Sequence, residues 1–304
     1  MSDFNINIVP TSTTSIVKFE ANKFLTRNEN HEFKNIDEAA NSPLAQQLFY
    51  LPFVKTVYIA QNFVAIEKYD IVDWPEVQNE VAEQIVTYLN KGGVVIKEAK
   101  AQSGKVPVTV YAESTPNPAV LKFVANKKLV LQSAEFKNID EAKNAPLVQK
   151  LFHFPFVKEV FLDENYVSIQ KYDMASWEEI SMELREFIRT YLEDGNEVLN
   201  EEAISAQSEA AAKQTDLNAN PGDLDETSRE IVAILDEYIK PAVASDGGNI
   251  LFDSYNPDNK TVKVILQGAC SGCPSSTMTL KNGIETMLRD MLKERVQYVE
   301  AING

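Results

Sequence analysis

The segment Phe33-Lys34-Asn35-Ile36-Asp37-Glu38-Ala39 returns about a hundred residues downstream as Phe136-Lys137-Asn138-Ile139-Asp140-Glu141-Ala142. At the same spacing Phe49-Tyr50-Leu51-Pro52-Phe53-Val54-Lys55 is matched by Phe152-His153-Phe154-Pro155-Phe156-Val157-Lys158. Tyr69-Asp70, Trp74 and Tyr88-Leu89 are matched by Tyr172-Asp173, Trp177 and Tyr191-Leu192. Upstream the spacing grows by one residue, with Ala21-Asn22-Lys23 answering Ala125-Asn126-Lys127, so the first copy carries an extra residue between Leu25 and Phe33. A long period with two copies means a duplicated domain, not a solenoid, and whatever fold one copy takes the other must share.

Each copy reads as mixed helix and strand. Residues 16–24 and 120–130 are rich in β-branched and aromatic side chains, as strands are. Residues 37–49 read as helix interrupted at Ser42-Pro43. Runs 54–60 and 63–68 read as a hairpin turning at Gln61-Asn62, with Glu164-Asn165 at that turn in the second copy. A helix closes each copy; in the second, Ile180, Leu184, Phe187, Ile188 and Tyr191 recur at helical spacing. Trp74 and Trp177 stand at the starts of these helices as partly buried anchors, and His31 and His153 read as ordinary side chains.

The chain has 304 residues, 44% of them hydrophobic and 24% charged, a globular composition long enough for roughly two or three cores. The expected fold class is α+β: three small α+β domains, two being a tandem repeat, joined by flexible tethers. We expect the first repeat at 1–97, a linker at 98–110, the second repeat at 111–196, a flexible linker at 197–223 and a final domain at 224–304. Residues 196–223 are rich in Ala, Glu, Gln and Ser with no aromatic residue, a composition that buries little. The formal net charge of −16 repels phosphate backbones and anionic lipid, so neither nucleic acid nor membrane is expected as a partner. No apolar run reaches the roughly 20 residues that span a bilayer. The N-terminal residues resemble neither a secretory signal nor an Arg-rich transit peptide, and two cysteines make no disulfide framework, so a cytoplasmic setting is expected.

In the last domain, Thr227 or Ser228 is placed to cap a helix carrying Ile231, Ile234, Leu235, Tyr238 and Ile239, which Pro241 should end or bend. Strands are expected at 250–255 and 262–266, a helix after Pro274 and a last strand at 296–302. Between the second strand and the helix lie Cys270 and Cys273, the chain's whole supply of cysteine. Two thiols three positions apart can face one metal centre, and the free N–H groups of the following helix would favour thiolates there. A thioredoxin-like dithiol is one reading, but the single helix and strand after Cys273 are too little for that fold. A structural zinc site wants four ligands, and no histidine follows His153, so zinc would need a second chain. An iron–sulfur cluster commonly takes four thiolates, so two chains would have to share one. A lone Cys-x-x-Cys does not choose among these.

The choice comes from a resemblance. Leu235-Asp236-Glu237-Tyr238-Ile239-Lys240-Pro241, Asp246-Gly247-Gly248 and the run from Leu266-Gln267-Gly268-Ala269-Cys270-Ser271-Gly272-Cys273-Pro274 on to Lys281-Asn282-Gly283-Ile284-Glu285 resemble the NifU C-terminal (Nfu) domain. Ser114-Thr115-Pro116-Asn117-Pro118, Leu121-Lys122-Phe123 and the Phe-Pro-Phe-Val-Lys run resemble the Nfu N-terminal domain. The first repeat departs, with Thr11-Ser12-Thr13-Thr14 where Thr115-Pro116-Asn117-Pro118 stands. The resemblance implies a carrier, not an enzyme. Cys270 and Cys273 would ligate a [4Fe–4S] cluster bridging a homodimer, received from an upstream donor and delivered to apo iron–sulfur proteins. The longer NifU type begins with a cysteine-bearing assembly domain that this sequence lacks, which favours carrying over assembly.

Overall fold

The structure is a computed structural model that describes residues 3–26, 29–97, 107–200, 225–271 and 274–303. Cys273, most of the expected linker at 98–110 and residues 201–223 of the second linker lie outside the described residues. The chain forms two compact units, Met1–Pro107 and Val108–Gly304.

The first unit is one repeat. Its strands are β1 (Ile6–Pro10), β2 (Ile16–Ala21), β3 (Asn30–Phe33), β4 (Val54–Ala60) and β5 (Phe63–Lys68), with helices α1 (Pro43–Phe49) and α2 (Trp74–Asn90). The sheet runs β1-β2-β5-β4-β3, antiparallel throughout. Alternation places Val17 and Phe19 of β2, Val57 and Ile59 of β4, and Val64 and Ile66 of β5 in the core against α2 residues Val81 and Ile85. The break at Ser42-Pro43 is real: a 3-10 turn over Glu38–Asn41 precedes α1, and the Ser42 hydroxyl caps α1 by accepting from the Ala45 N–H. Ala60 pairs with Phe63, so Gln61 and Asn62 form the two-residue turn, with Gln61 in the left-handed region at φ 48°. Trp74 is buried, its indole donating to the Ser15 carbonyl at 3.0 Å.

The second unit contains the other repeat and the last domain. The repeat has β6 (Val110–Ser114), β7 (Val120–Ala125), β8 (Ala134–Phe136), β9 (Val157–Asp163), β10 (Tyr166–Lys171), α3 (Pro146–Leu151) and α4 (Trp177–Glu193), in the same order, β6-β7-β10-β9-β8. The Trp177 indole donates to the Pro118 carbonyl at 3.0 Å, matching Trp74. The strand expected at 120–130 stops at Ala125, and the chain crosses to the opposite sheet edge at β8. The short edge strands β1, β3, β6 and β8 escape a reading of hydrophobic runs because they are three to five residues long and each buries at most one residue. Val198 and Leu199 are buried in the core of this repeat, so the chain after α4 begins packed against it.

The last domain has α5 (Glu226–Ile234), α6 (Lys240–Ser245), β11 (Gly248–Asn256), β12 (Thr261–Gly268), α7 (Pro274–Leu292) and β13 (Tyr298–Asn303). Asp225, not Thr227 or Ser228, caps α5, accepting from the Ser228 N–H at 2.8 Å. The helix does not stop at Pro241. It widens into a π-turn over Leu235–Ile239 and resumes as α6 with Pro241 in its first turn, where a missing N–H costs nothing. β11 pairs antiparallel with β12, and β13 pairs parallel with β12 after the α7 crossover. Ile231, Leu235, Val243, Ile250, Val264, Ile284 and Leu288 form the core, and Cys270 belongs to it.

Candidate functional site

β12 ends at Gly268, and the chain turns there because Gly268 is in the left-handed region at φ 64°. The turn is closed by the Ser271 N–H donating to the Gly268 carbonyl at 3.1 Å and the Ala269 N–H donating to the Gly247 carbonyl at 3.1 Å. The Thr277 hydroxyl on α7 donates to the Cys270 carbonyl at 3.2 Å. Loop 268–271 thus lies on loop 244–248. The approach demands glycine: a Cβ on Gly248 would lie 2.7 Å from the Cys270 sulfur, and one on Gly268 would lie 2.7 Å from the Gly247 carbonyl oxygen. Gly248 and Gly268 thus let the two loops pack against each other.

The Cys270 thiol is buried, only 8% exposed. Burial pushes its pKa up to about 12, with the nearby Asp246 carboxylate adding to the shift. In this metal-free arrangement the loss of hydration works against the expected thiolate and opposes a helix terminus worth about 0.3–1 kcal/mol. Beside the sulfur lies a cavity of about 590 Å³ lined by Ile239, Val243, Leu280, Ile284, Met287 and Pro116. Among the described residues no group of three or more His, Cys, Asp or Glu is placed to hold a metal ion. His153 is a side chain of the second repeat, its Nδ1 2.8 Å from the Gln149 carbonyl. His31 stacks on Phe33 in the first repeat.

Residues to which the sequence alone gave no part in the site, Asn117 and Lys122 of the resemblance among them, lie across from the cysteine loop, on the second repeat. Glu135 accepts from the Gly268 N–H at 2.7 Å. The Asn117 amide donates to the Ala269 and Ser271 carbonyls at 3.3 and 3.4 Å. Tyr166 donates to the Gly248 carbonyl at 3.0 Å, and Ser168 to the Gly247 carbonyl at 2.7 Å. Lys122 donates to the Ala244 and Ser245 carbonyls at 3.1 and 3.2 Å. A signal existed: Tyr166 and Ser168 stand where the first repeat has Phe63 and Ala65.

Burial raises the Glu135 pKa above its ordinary 4.5, while the Gly268 N–H and Lys137 pull it down and Glu159 adds to the rise. The folded chain then binds this proton more tightly than the unfolded chain. Stability from this group is complete below about pH 4.5 and falls as pH rises through the raised value. Glu135→Gln should remove that loss. Urea midpoints of both proteins, taken from about pH 4 to about 8, should converge at the acid end and favour the variant at the other.

The chain matches two family patterns. Residues 6–92 and 110–195 match "Scaffold protein Nfu/NifU N terminal", and residues 231–299 match "NifU-like domain". The chain belongs to the Nfu/NifU scaffold family. Over 196 residues it is 34% identical to "NifU-like protein 4, mitochondrial" of Arabidopsis thaliana, covering 64% of each chain. Over 201 residues it is 35% identical to "NFU1 iron-sulfur cluster scaffold homolog, mitochondrial" of Drosophila willistoni, covering 66% of this chain and 65% of that one. The homologue of the same name in Drosophila persimilis is 33% identical over 212 residues, covering 69% and 71%. The matches thus span just under two thirds of the first two relatives. These names correct the cytoplasmic expectation, since all three are mitochondrial proteins. Scarcity of cysteine separates oxidising from reducing compartments and does not separate one reducing compartment from another. No helix among the described residues is long and apolar enough to cross a membrane.

Proposed function

We propose that this Nfu-family chain carries a [4Fe–4S] cluster on Cys270 and Cys273, shared with the same pair on a second protomer, and delivers it to apo-proteins. The observation that supports this most is that the NifU-like match, 231–299, contains both of the chain's cysteines. A [4Fe–4S] cluster takes four thiolates and one chain brings two, so loading calls for a homodimer. A cluster pinned at such an interface is readily lost, which suits a donor: thiolates of a client can replace these ligands in turn. The cluster is cargo, an upstream donor supplies it, and apo iron–sulfur proteins receive it. The three-domain division, with the tether between the second repeat and the cluster domain, belongs to this reading. It also implies no catalytic turnover.

A metal needs Cys270 as thiolate, so loading must expel its proton and relieve its burial. The same burial speaks against a dithiol oxidoreductase, whose attacking thiol is exposed with a lowered pKa. Anaerobic reconstitution with iron and sulfide tests the proposal. We expect about four iron and four sulfide per dimer, formed with a monomer-to-dimer shift in size. A colourless monomer would sink it. Zinc in protein purified without oxygen would favour a zinc-linked module, and insulin reduction by the metal-free chain a redox enzyme.

A further inference from the structure

The two repeats share a fold but not an outer sheet face. An antiparallel sheet packed on one side commonly leaves the other to water. On the second repeat the side chains facing away from α3 and α4 are buried instead. Val124, Phe161 and Tyr166 form an apolar cluster there, and Lys122 and Ser168 are 8% and 2% exposed. A lysine and a serine so buried need partners. With Tyr166, Asn117 and Glu135 they find them in the backbone of loops 244–248 and 268–271, while within the repeat Glu113 pairs with Lys122 and Asp163 lies 2.9 Å from the Tyr166 hydroxyl. Lys122 reads the last carbonyls of α6, where a helix end favours a cation. Thr115 shapes the turn that presents Asn117, its hydroxyl donating to the Asn117 and Val120 carbonyls at 2.9 and 3.0 Å. The fit is close: a Cβ on Gly247 would lie 2.9 Å from the Ser168 hydroxyl, and one on Gly268 would lie 2.8 Å from the Phe161 ring.

In the first repeat the corresponding positions hold Thr13 for Asn117, Glu20 for Val124, Phe63 for Tyr166 and Ala65 for Ser168. Two hydroxyl donors and an amide are gone, and a carboxylate replaces an apolar contact. Lys18 and Glu32 remain where Lys122 and Glu135 stand.

We propose that the outer sheet face of the second repeat, and not that of the first, is a docking surface for the cysteine loop of its own chain. Its occupation covers Cys270 in the metal-free protein and competes with the second protomer for the loop. The docking stands on this geometry; its meaning as a control on loading rests on the reading above. Because the contacts made by Lys122, Ser168, Tyr166 and Asn117 go to carbonyls, with Asn249 to Ser133 a side-chain contact beside them, the face recognises chiefly the loop's closed backbone conformation. Loading the cluster then requires the second repeat to let go, and Asn117, Tyr166 and Ser168 set how readily it does so.

The first repeat supplies the test. The full-length metal-free chain carrying Asn117→Thr, Tyr166→Phe and Ser168→Ala holds residues that this fold already tolerates at those positions. Amide hydrogen exchange of segment 266–271 is followed by mass spectrometry. Each lost bond should raise exchange roughly fivefold, and all three roughly a hundredfold, while the core amides of β7 and β10 keep their protection. Unchanged exchange of the loop overturns the proposal. Should core protection fall as well, Ser168→Ala alone is decisive: a loop-confined rise supports docking and none refutes it. Alkylation of Cys270 by iodoacetamide in a Cys273→Ser background should accelerate with loop exchange. No iron enters these measurements, so failure of cluster loading and failure of docking are read separately.

Discussion

A Cys270→Ala variant, reconstituted anaerobically, is expected to hold less than about a tenth of the iron and sulfide of the parent chain. The dimer would keep the partner cysteines of the loop and no more than half the thiolates a [4Fe–4S] cluster commonly needs, and a water or backbone ligand does not substitute for a bridging pair of sulfurs. Stability should respond far less. Cys270 packs in the core with Ile239, Val243 and Ile284, beside a cavity already about 590 Å³ in volume. Removing one sulfur there should cost about 1 kcal/mol, near the low end of buried truncations. Iron and sulfide content beside a urea titration separates the two effects. Full cluster occupancy in this variant would remove Cys270 from the ligand set.

Phe123→Ala is expected to destabilise the second repeat by about 3–5 kcal/mol. Phe123 is fully buried on β7, and the same position in the first repeat is the equally buried Phe19. Its ring sits on the inner face of the sheet with Val160, Ile169 and Leu184, so the loss is transfer energy plus an unfilled cavity. Against a domain stability of about 5–15 kcal/mol this is a large fraction. The effect should reach the cysteine loop, because β7 also carries Lys122 to the outer face. Urea unfolding followed by circular dichroism measures the first effect and hydrogen exchange of 266–271 the second. A loss below about 1 kcal/mol would mean that the site collapses to fill the space.

Much of the local structure was legible because it rests on local causes. The 54–60 and 63–68 hairpin follows from two strand-like runs joined at the Gln61-Asn62 turn, and it is observed with those bounds. The break at Ser42-Pro43 follows from proline's missing N–H and serine's capping oxygen. The cap of α5 was misplaced by a few residues because Asp225, Thr227 and Ser228 can all supply an oxygen, and the backbone path decides which one meets the Ser228 N–H. Pro241 shows the same limit. Its chemistry forbids a regular α-helix through it but allows either a stop or a π-turn, and packing of Leu235 and Ile239 into the core selects the latter.

By itself the sequence determined the duplication, the mixed sheet-and-helix class, the spacing of the two cysteines three positions apart, and membership of the family. Those depend on residue order, periodicity and spacing. Only the tertiary structure decided that Cys270 is a buried thiol whose pKa burial pushes up and that the second repeat covers its loop. A strand carrying Lys122 or Ser168 on its outward face looks like any half-wet antiparallel strand. Whether that face meets water or another backbone is set by chain more than a hundred residues away for Lys122, whose partners are Ala244 and Ser245. Desolvation, which sets both the cysteine's proton and the need for the lysine's carbonyl partners, is a property of the assembled surroundings.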